Sequence, residues 1–157
     1  MNIFATNFNY EARLDKVRRL MGERDIDCVL AHKWVNQYYI SGHYHHLPWY
    51  PDNHSSNTEA PLILFKEEDP VFLCGILTYN SVKEGTWIKD VRAFDRESTL
   101  SVHEYLAQVL KEKGVERGSI GVEKDCCTIS TFEKLQKVLP NIQFKDASDI
   151  FCFARAV

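Results

Sequence analysis

The chain has 157 residues, a length that fits one domain of ordinary size with a core of its own. Apolar residues make up 45% and charged residues 26%, which excludes a disordered tail, a collagen-like rod or a long coiled coil as the main architecture. Its 22 acids against 19 bases leave a net charge of −3, so no nucleic acid is expected as a partner. No apolar run of ~18 residues offers a membrane span.

The stretch from Met1 to Tyr10 has neither a basic start nor an apolar run, so no secretory signal is expected. Five cysteines, an odd number without any Cys-x-x-Cys pair, read as reduced thiols in a cytoplasmic protein. Cys28, Cys74 and Cys152 sit in apolar runs and should act as small hydrophobes.

Leu14, Val17, Leu20 and Met21 recur with helical spacing, which predicts a helix over Tyr10 to Arg24 capped by Asn9. The apolar run Cys28-Val29-Leu30-Ala31 predicts a buried strand over Ile26 to His32. Trp34 to Ile40 reads as a short helix stopped at Ser41-Gly42. The stretch from His43 to Ala60 is rich in Pro, Asn, Asp and Ser and reads as a long loop.

Leu62 to Phe65 and Val71 to Leu77 are strand candidates joined by the polar turn Lys66 to Pro70. Thr78 to Gly85 forms a short helix or a turn, and Asp90 to Ala93 alternates as a strand. Ser101 and Glu104 make a capping box in front of a helix that runs to Gly114. Ser119 to Glu123 is a strand, Ser130 and Glu133 suggest a second capping box, and Pro140-Asn141 ends the helix behind it. Ile142 to Lys145 alternates as a last strand, and Asp149 to Val157 opens another helix. Helices alternating with strands, plus one polar hairpin, predict an α/β fold with a layered mixed β-sheet flanked by helices.

Signatures of catalysis are scarce. There is no Gly-x-Gly-x-x-Gly, P-loop, Gly-x-Ser-x-Gly or His-Glu-x-x-His. The loop carries His43, His45, His46 and His54 with Trp49 and Tyr50. A zinc site needs three or four converging ligands, and no such set is spelled out there, so no metal site is assigned. Contact with a substrate or a partner subunit is the reading for these six residues, because long loops concentrate function. Cys126-Cys127 should lie several residues ahead of a helix cap and be inert, and Glu123 reads as a solvated or capping acid. No catalytic residue is assigned.

The order of landmarks resembles the N-terminal domain of the creatinase, prolidase and aminopeptidase P family, the pita-bread metallohydrolases. The resemblance rests on Arg13-Leu14 and Leu20-Met21, then on Ile26-Asp27-Cys28. Asn36-Gln37-Tyr38-Tyr39-Ile40-Ser41-Gly42 is similar to the family's Asn-x-x-Tyr-Leu-Thr/Ser-Gly motif, and Ile120-Gly121-Val122-Glu123 to its Ile-Gly-Val-Glu strand. Leu139-Pro140, Phe144, Asp146-Ala147-Ser148, Arg155 and Val157 are similar to the segment that leads into the catalytic domain.

The resemblance implies a single domain over 1–157 with a ribonuclease H-like motif and a mixed sheet. A catalytic pita-bread domain would follow residue 157. That second domain would hold two divalent metals, manganese, cobalt or zinc, and this chain would supply no cofactor ligand. The implied role is that of a non-catalytic domain of an Xaa-Pro aminopeptidase or dipeptidase that shapes the substrate site and a homodimer, acting on a peptide or a small molecule. A creatinase-like hydrolase acting on a non-peptide, or a stand-alone binding or assembly module, stays open beside it.

Overall fold

The computed structural model describes residues 8–43, 57–95 and 97–156. Helix α1 (Tyr10–Glu23) leads into strand β1 (Cys28–Lys33), helix α2 (Trp34–Ser41) and strands β2 (Asn57–Phe65) and β3 (Val71–Gly75). A 3₁₀ turn (Ile76–Thr78), helix α3 (Tyr79–Gly85) and strand β4 (Asp90–Phe94) follow. Helix α4 (Val102–Glu112), strand β5 (Ser119–Val122), helix α5 (Ile129–Val138), strand β6 (Gln143–Asp146) and helix α6 (Ile150–Arg155) complete the order.

The six strands form one sheet in the order β4-β3-β2-β1-β5-β6. Strand β2 runs antiparallel to both its neighbours, and the pairs β1–β5, β3–β4 and β5–β6 are parallel. The mixed sheet predicted from the polar hairpin is therefore present, with the reversal concentrated in one central strand.

Alternation along the strands divides the core in two. Val29, Ala31, Leu62, Leu64 and Phe72 point to one face, where Leu14, Val17 and Met21 of α1, Ile40 of α2, Val82 of α3 and Phe151 of α6 cover them. Cys28, Leu30, Ile63, Phe65 and Val71 point to the other, against Leu106, Val109 and Leu110 of α4 and Leu135 of α5. Burial on both faces explains why the central strands read as unbroken apolar runs.

Caps fix the helix starts. The Asn9 side chain accepts from Ala12 N, and Ser101 with Glu104 forms the expected reciprocal box. The second predicted box is displaced. Helix α5 starts at Ile129, and the Thr128 side chain accepts from Thr131 N as its cap. Cys127 therefore directly precedes a helix cap rather than lying several residues ahead of it.

Three other expectations shift. The predicted loop from His43 to Ala60 gives up its last four residues, since β2 begins at Asn57, which pairs with Lys33. Pro61 obscures this start, because a proline reads as a strand breaker. It falls where the β1–β2 register jumps between Ala31 and Lys33, a place that does not need its missing N–H. The strand predicted to Leu77 ends at Gly75, and Ile76 and Leu77 are exposed in the 3₁₀ turn. Cys152 is exposed on α6 rather than buried as a small hydrophobe.

Candidate functional site

Strands β1, β3, β4, β5 and β6 all run the same way and end at one edge of the sheet, where β2 begins. In open α/β sheets this carboxyl edge is where ligands and partners are met. Its centre is Glu123, the residue after β5, whose side chain is wholly buried.

The Glu123 carboxylate is met by donors from the adjoining strand and helix. Its Oε2 accepts from the backbone N–H of His32 (2.6 Å) and of Lys33 (2.9 Å) at the β1 bulge. Its Oε1 accepts from the Asn36 side-chain amide of α2. Asn36 Oδ1 in turn accepts from Arg155 of α6 (2.6 Å). Burial raises the Glu123 carboxyl above the usual range, and the three hydrogen bonds hold that rise back. Glu123 is therefore not the solvated or capping acid that its sequence position suggests. A lone glutamate at a strand end carries no signal of a partner 87 residues away.

Six of the seven positions of the Asn36–Gly42 segment have a definable task. Gln37 Nε2 donates to Ala31 O (2.9 Å) and Ala60 O (3.2 Å), bridging β1 and β2 where their register jumps. The Tyr39 hydroxyl donates to Ala154 O (3.0 Å) and so holds α6. The Arg13 guanidinium lies 4.8 Å from the Tyr39 ring centre and donates to Tyr39 O. Ile40 is fully buried, and its carbonyl accepts from the Trp87 indole N–H (2.8 Å). Ser41 Oγ accepts from His43 N (3.1 Å). Gly42 closes the helix with φ +72°, and its Cα faces the Tyr10 ring so closely that a Cβ would lie 2.6 Å from it.

His43 is buried, not extended into solvent. Its ring meets Phe72 edge-on at 6.3 Å between centres and lies against the Cα of Gly85, where a Cβ would overlap Nδ1. Burial lowers its pKa, which favours the neutral ring. The other predicted contact residues, His45, His46, Trp49, Tyr50 and His54, lie outside the described residues.

The chemistry on the edge is otherwise restrained. Burial works against the charge on Lys33, but its pairing with Asp125 outweighs that and holds the ammonium charged. Burial pushes the Cys126 thiol up to about 12 and the Cys127 thiol upward as well, so neither is poised as a nucleophile despite its nearness to α5. Among the described residues no group of three or more His, Cys, Asp or Glu side chains is placed to hold a metal ion. They do not fit the two-metal centre that the resemblance implies, and no step through such a centre is derived from them. No helix among the described residues is long and apolar enough to cross a membrane.

Comparison with known proteins agrees with this geometry. The family model described as the creatinase/prolidase N-terminal domain matches residues 13–157. An Xaa-Pro dipeptidase of Lactobacillus delbrueckii subsp. lactis is 29% identical over 96 residues, covering 60% of this chain and 25% of its own length. An ectoine hydrolase of Halomonas elongata is 25% identical over 161 residues, covering 97% of this chain and 38% of the relative. The chain thus spans less than two fifths of the length of these curated relatives. The N-terminal domain of the cytoplasmic peptidase PepQ from Mycobacterium tuberculosis superposes with a TM-score of 0.70 at 24% identity, covering 92% of this chain and 98% of that one. The chain belongs to the creatinase/prolidase N-terminal domain family.

Proposed function

We propose that this chain is the N-terminal, non-catalytic domain of a metal-dependent hydrolase of the Xaa-Pro dipeptidase or aminopeptidase type. Its role is to form one wall of the substrate site and to take part in a homodimer in the cytoplasm. The observation that supports this reading is the family match from residue 13 to residue 157, over which the motif residues Asn36, Tyr39, Gly42, Glu123 and Arg155 all have structural tasks. The two divalent metals, manganese, cobalt or zinc, belong in this reading to a catalytic domain following residue 157. Bound there, such metals would supply Lewis-acid activation of a water and of the scissile carbonyl.

The direct test compares the 157-residue chain with the full-length protein on Xaa-Pro dipeptides in the presence of each metal. Metal-dependent hydrolysis by the full-length protein alone is the expected result. Turnover by the isolated chain above a mock purification overturns the assignment.

A non-peptide substrate is the second reading, favoured by the relative named an ectoine hydrolase. It predicts that full-length protein turns over a small cyclic or linear amide-type compound while leaving Xaa-Pro dipeptides intact. Both readings give this domain the same non-catalytic place.

A further inference from the structure

Glu123, Asn36 and Arg155 link β5, α2 and α6 in a line whose hydrogen-bond polarity has only one arrangement. A guanidinium can only donate, so the Asn36 atom facing Arg155 is the oxygen. An ionised carboxylate can only accept, so the Asn36 atom facing Glu123 is the nitrogen. The Asn36 amide is therefore oriented by the charge state of the two residues it separates.

A proton on Glu123 breaks that arrangement. Oε2 already accepts from two backbone N–H groups, so the proton belongs on Oε1. An O–H there faces the Asn36 N–H, donor against donor. Turning the amide over restores the first bond and presents Asn36 N–H to Arg155, again donor against donor. We infer that the three residues form a proton-sensitive latch, in which protonation of Glu123 turns the Asn36 amide and releases Arg155, loosening the last turn of α6.

Among the described residues, the remaining holders of Arg155 are weak. They are the Cys152 sulfur at 3.7 Å and the face of Tyr39 at 5.7 Å. The groups that set the proton affinity of Glu123 come from several elements. Lys33 of β1 favours the ionised form, and its own ammonium is shared with Asp125. His32 of β1 presents its backbone N–H, its ring holding its proton only well below neutral pH. Arg155 of α6 stands beyond the amide, and Cys126 and Cys127 are thiols. Burial of the carboxylate works against all of the stabilising donors, so the acid needs less than usual acidity to take up its proton. This latch is independent of what the full-length protein hydrolyses.

Amide hydrogen exchange on the 157-residue chain tests it, read as protection factors so that the intrinsic pH dependence is removed. The reporters are the α6 amides of Phe153 and Ala156, with α1 and β3 as references. Glu123→Gln mimics the protonated acid and should lower α6 protection by ~10-fold while the references change less than ~3-fold. Adding Asn36→Asp rebuilds a complete line, because the introduced glutamine then donates to a carboxylate that accepts from Arg155. The double variant should recover to within ~3-fold of wild type. Unchanged α6 protection in Glu123→Gln, a loss shared equally by α1 and β3, or a double variant no better than the single one overturns the latch. Should Glu123→Gln fail to fold, acidification decides. Wild-type α6 protection falls on lowering the pH, and Arg155→Met lacks that fall. An equal fall in both overturns the latch.

Discussion

Asp27 and Ser119 clasp the starts of β1 and β5 to each other. Ser119 N donates to Asp27 Oδ2 at 2.8 Å, and Asp27 N donates to Ser119 O at 3.0 Å. The Ser119 hydroxyl adds a bond to Asp25 O at 2.6 Å. This is why an aspartate precedes the buried strand in Ile26-Asp27-Cys28. Its carboxylate satisfies the first backbone N–H of the parallel neighbour.

Asp27→Ala should therefore cost about 1–3 kcal/mol, the penalty for leaving part-buried donors without their acceptor. Asp27→Asn keeps one acceptor and should cost less. Urea unfolding followed by circular dichroism gives both values, with the midpoint moving and the slope unchanged. Equal losses for the two substitutions would place the effect in packing rather than in the hydrogen bonds.

Gly42 carries two demands at once, a left-handed backbone at φ +72° and the Tyr10 ring against its Cα. Asparagine tolerates the backbone angle better than alanine does but brings a larger side chain toward the ring. Gly42→Ala should destabilise by about 2–4 kcal/mol, and Gly42→Asn by no less. Relief of the loss by asparagine, read from thermal midpoints, would mean that the backbone angle alone governs the site.

Much of this fold is legible from residue order. The caps at Asn9 and Ser101 and the stop at Gly42 are local, and so is the alternation that divides the strands between two faces. What escapes depends on distant partners. Glu123 acquires its meaning from Asn36 and the β1 bulge, and nothing next to it in sequence marks it as buried. The start of β2 is hidden because Pro61 tolerates a strand only where register is already broken, a property of the pairing with β1. Ile76 and Leu77 continue an apolar run beyond the strand although the backbone has turned into a 3₁₀ helix. Hydropathy does not record that change of direction.

His32 gives the fold a defined response to acid. Burial lowers its pKa to about 4 from an ordinary value near 6.5. The unfolded chain thus takes up a proton at this residue before the folded one does. The stability it contributes is present above pH ~6.5, declines as the pH falls and is lost by pH ~4, up to about 3 kcal/mol in all. His32→Phe should flatten that part of the stability curve while filling much of the same space. A slope between pH ~6.5 and ~4 that survives the substitution would assign the acid response to other groups.

Asp90 titrates with the same sign over a lower range. Its hydrogen bonds to Arg92, at 2.8 and 3.0 Å, hold its pKa below the usual carboxylate range. The pair's contribution is present above the unfolded value near 4 and is lost as the pH falls through the folded value. Its partial exposure keeps the effect under ~1 kcal/mol. Asp90→Asn should leave stability at pH ~7 slightly lower and reduce the difference between pH ~4 and pH ~2, measured by urea midpoints. An unchanged acid limb would show that solvent already screens the pair.

His43 is the one member of the predicted contact set that lies among the described residues. The His43 ring is buried against Phe72 and Gly85, so its removal leaves a gap in the packing between α3 and β3. His43→Ala should cost about 1–3 kcal/mol of stability in the isolated chain. The proposed wall of the substrate site rests instead on His45, His46, Trp49 and Tyr50, with His54 beyond them. In the full-length protein, replacing His45, His46 and Trp49 by alanine should lower kcat/KM by ~10-fold, about 1.4 kcal/mol of transition-state binding. The same triple variant of the isolated chain should unfold within ~0.5 kcal/mol of wild type if these side chains serve a ligand rather than the core. Loss of stability without loss of kcat/KM would make the segment structural, and an unchanged kcat/KM in a folded variant would remove it from the substrate site.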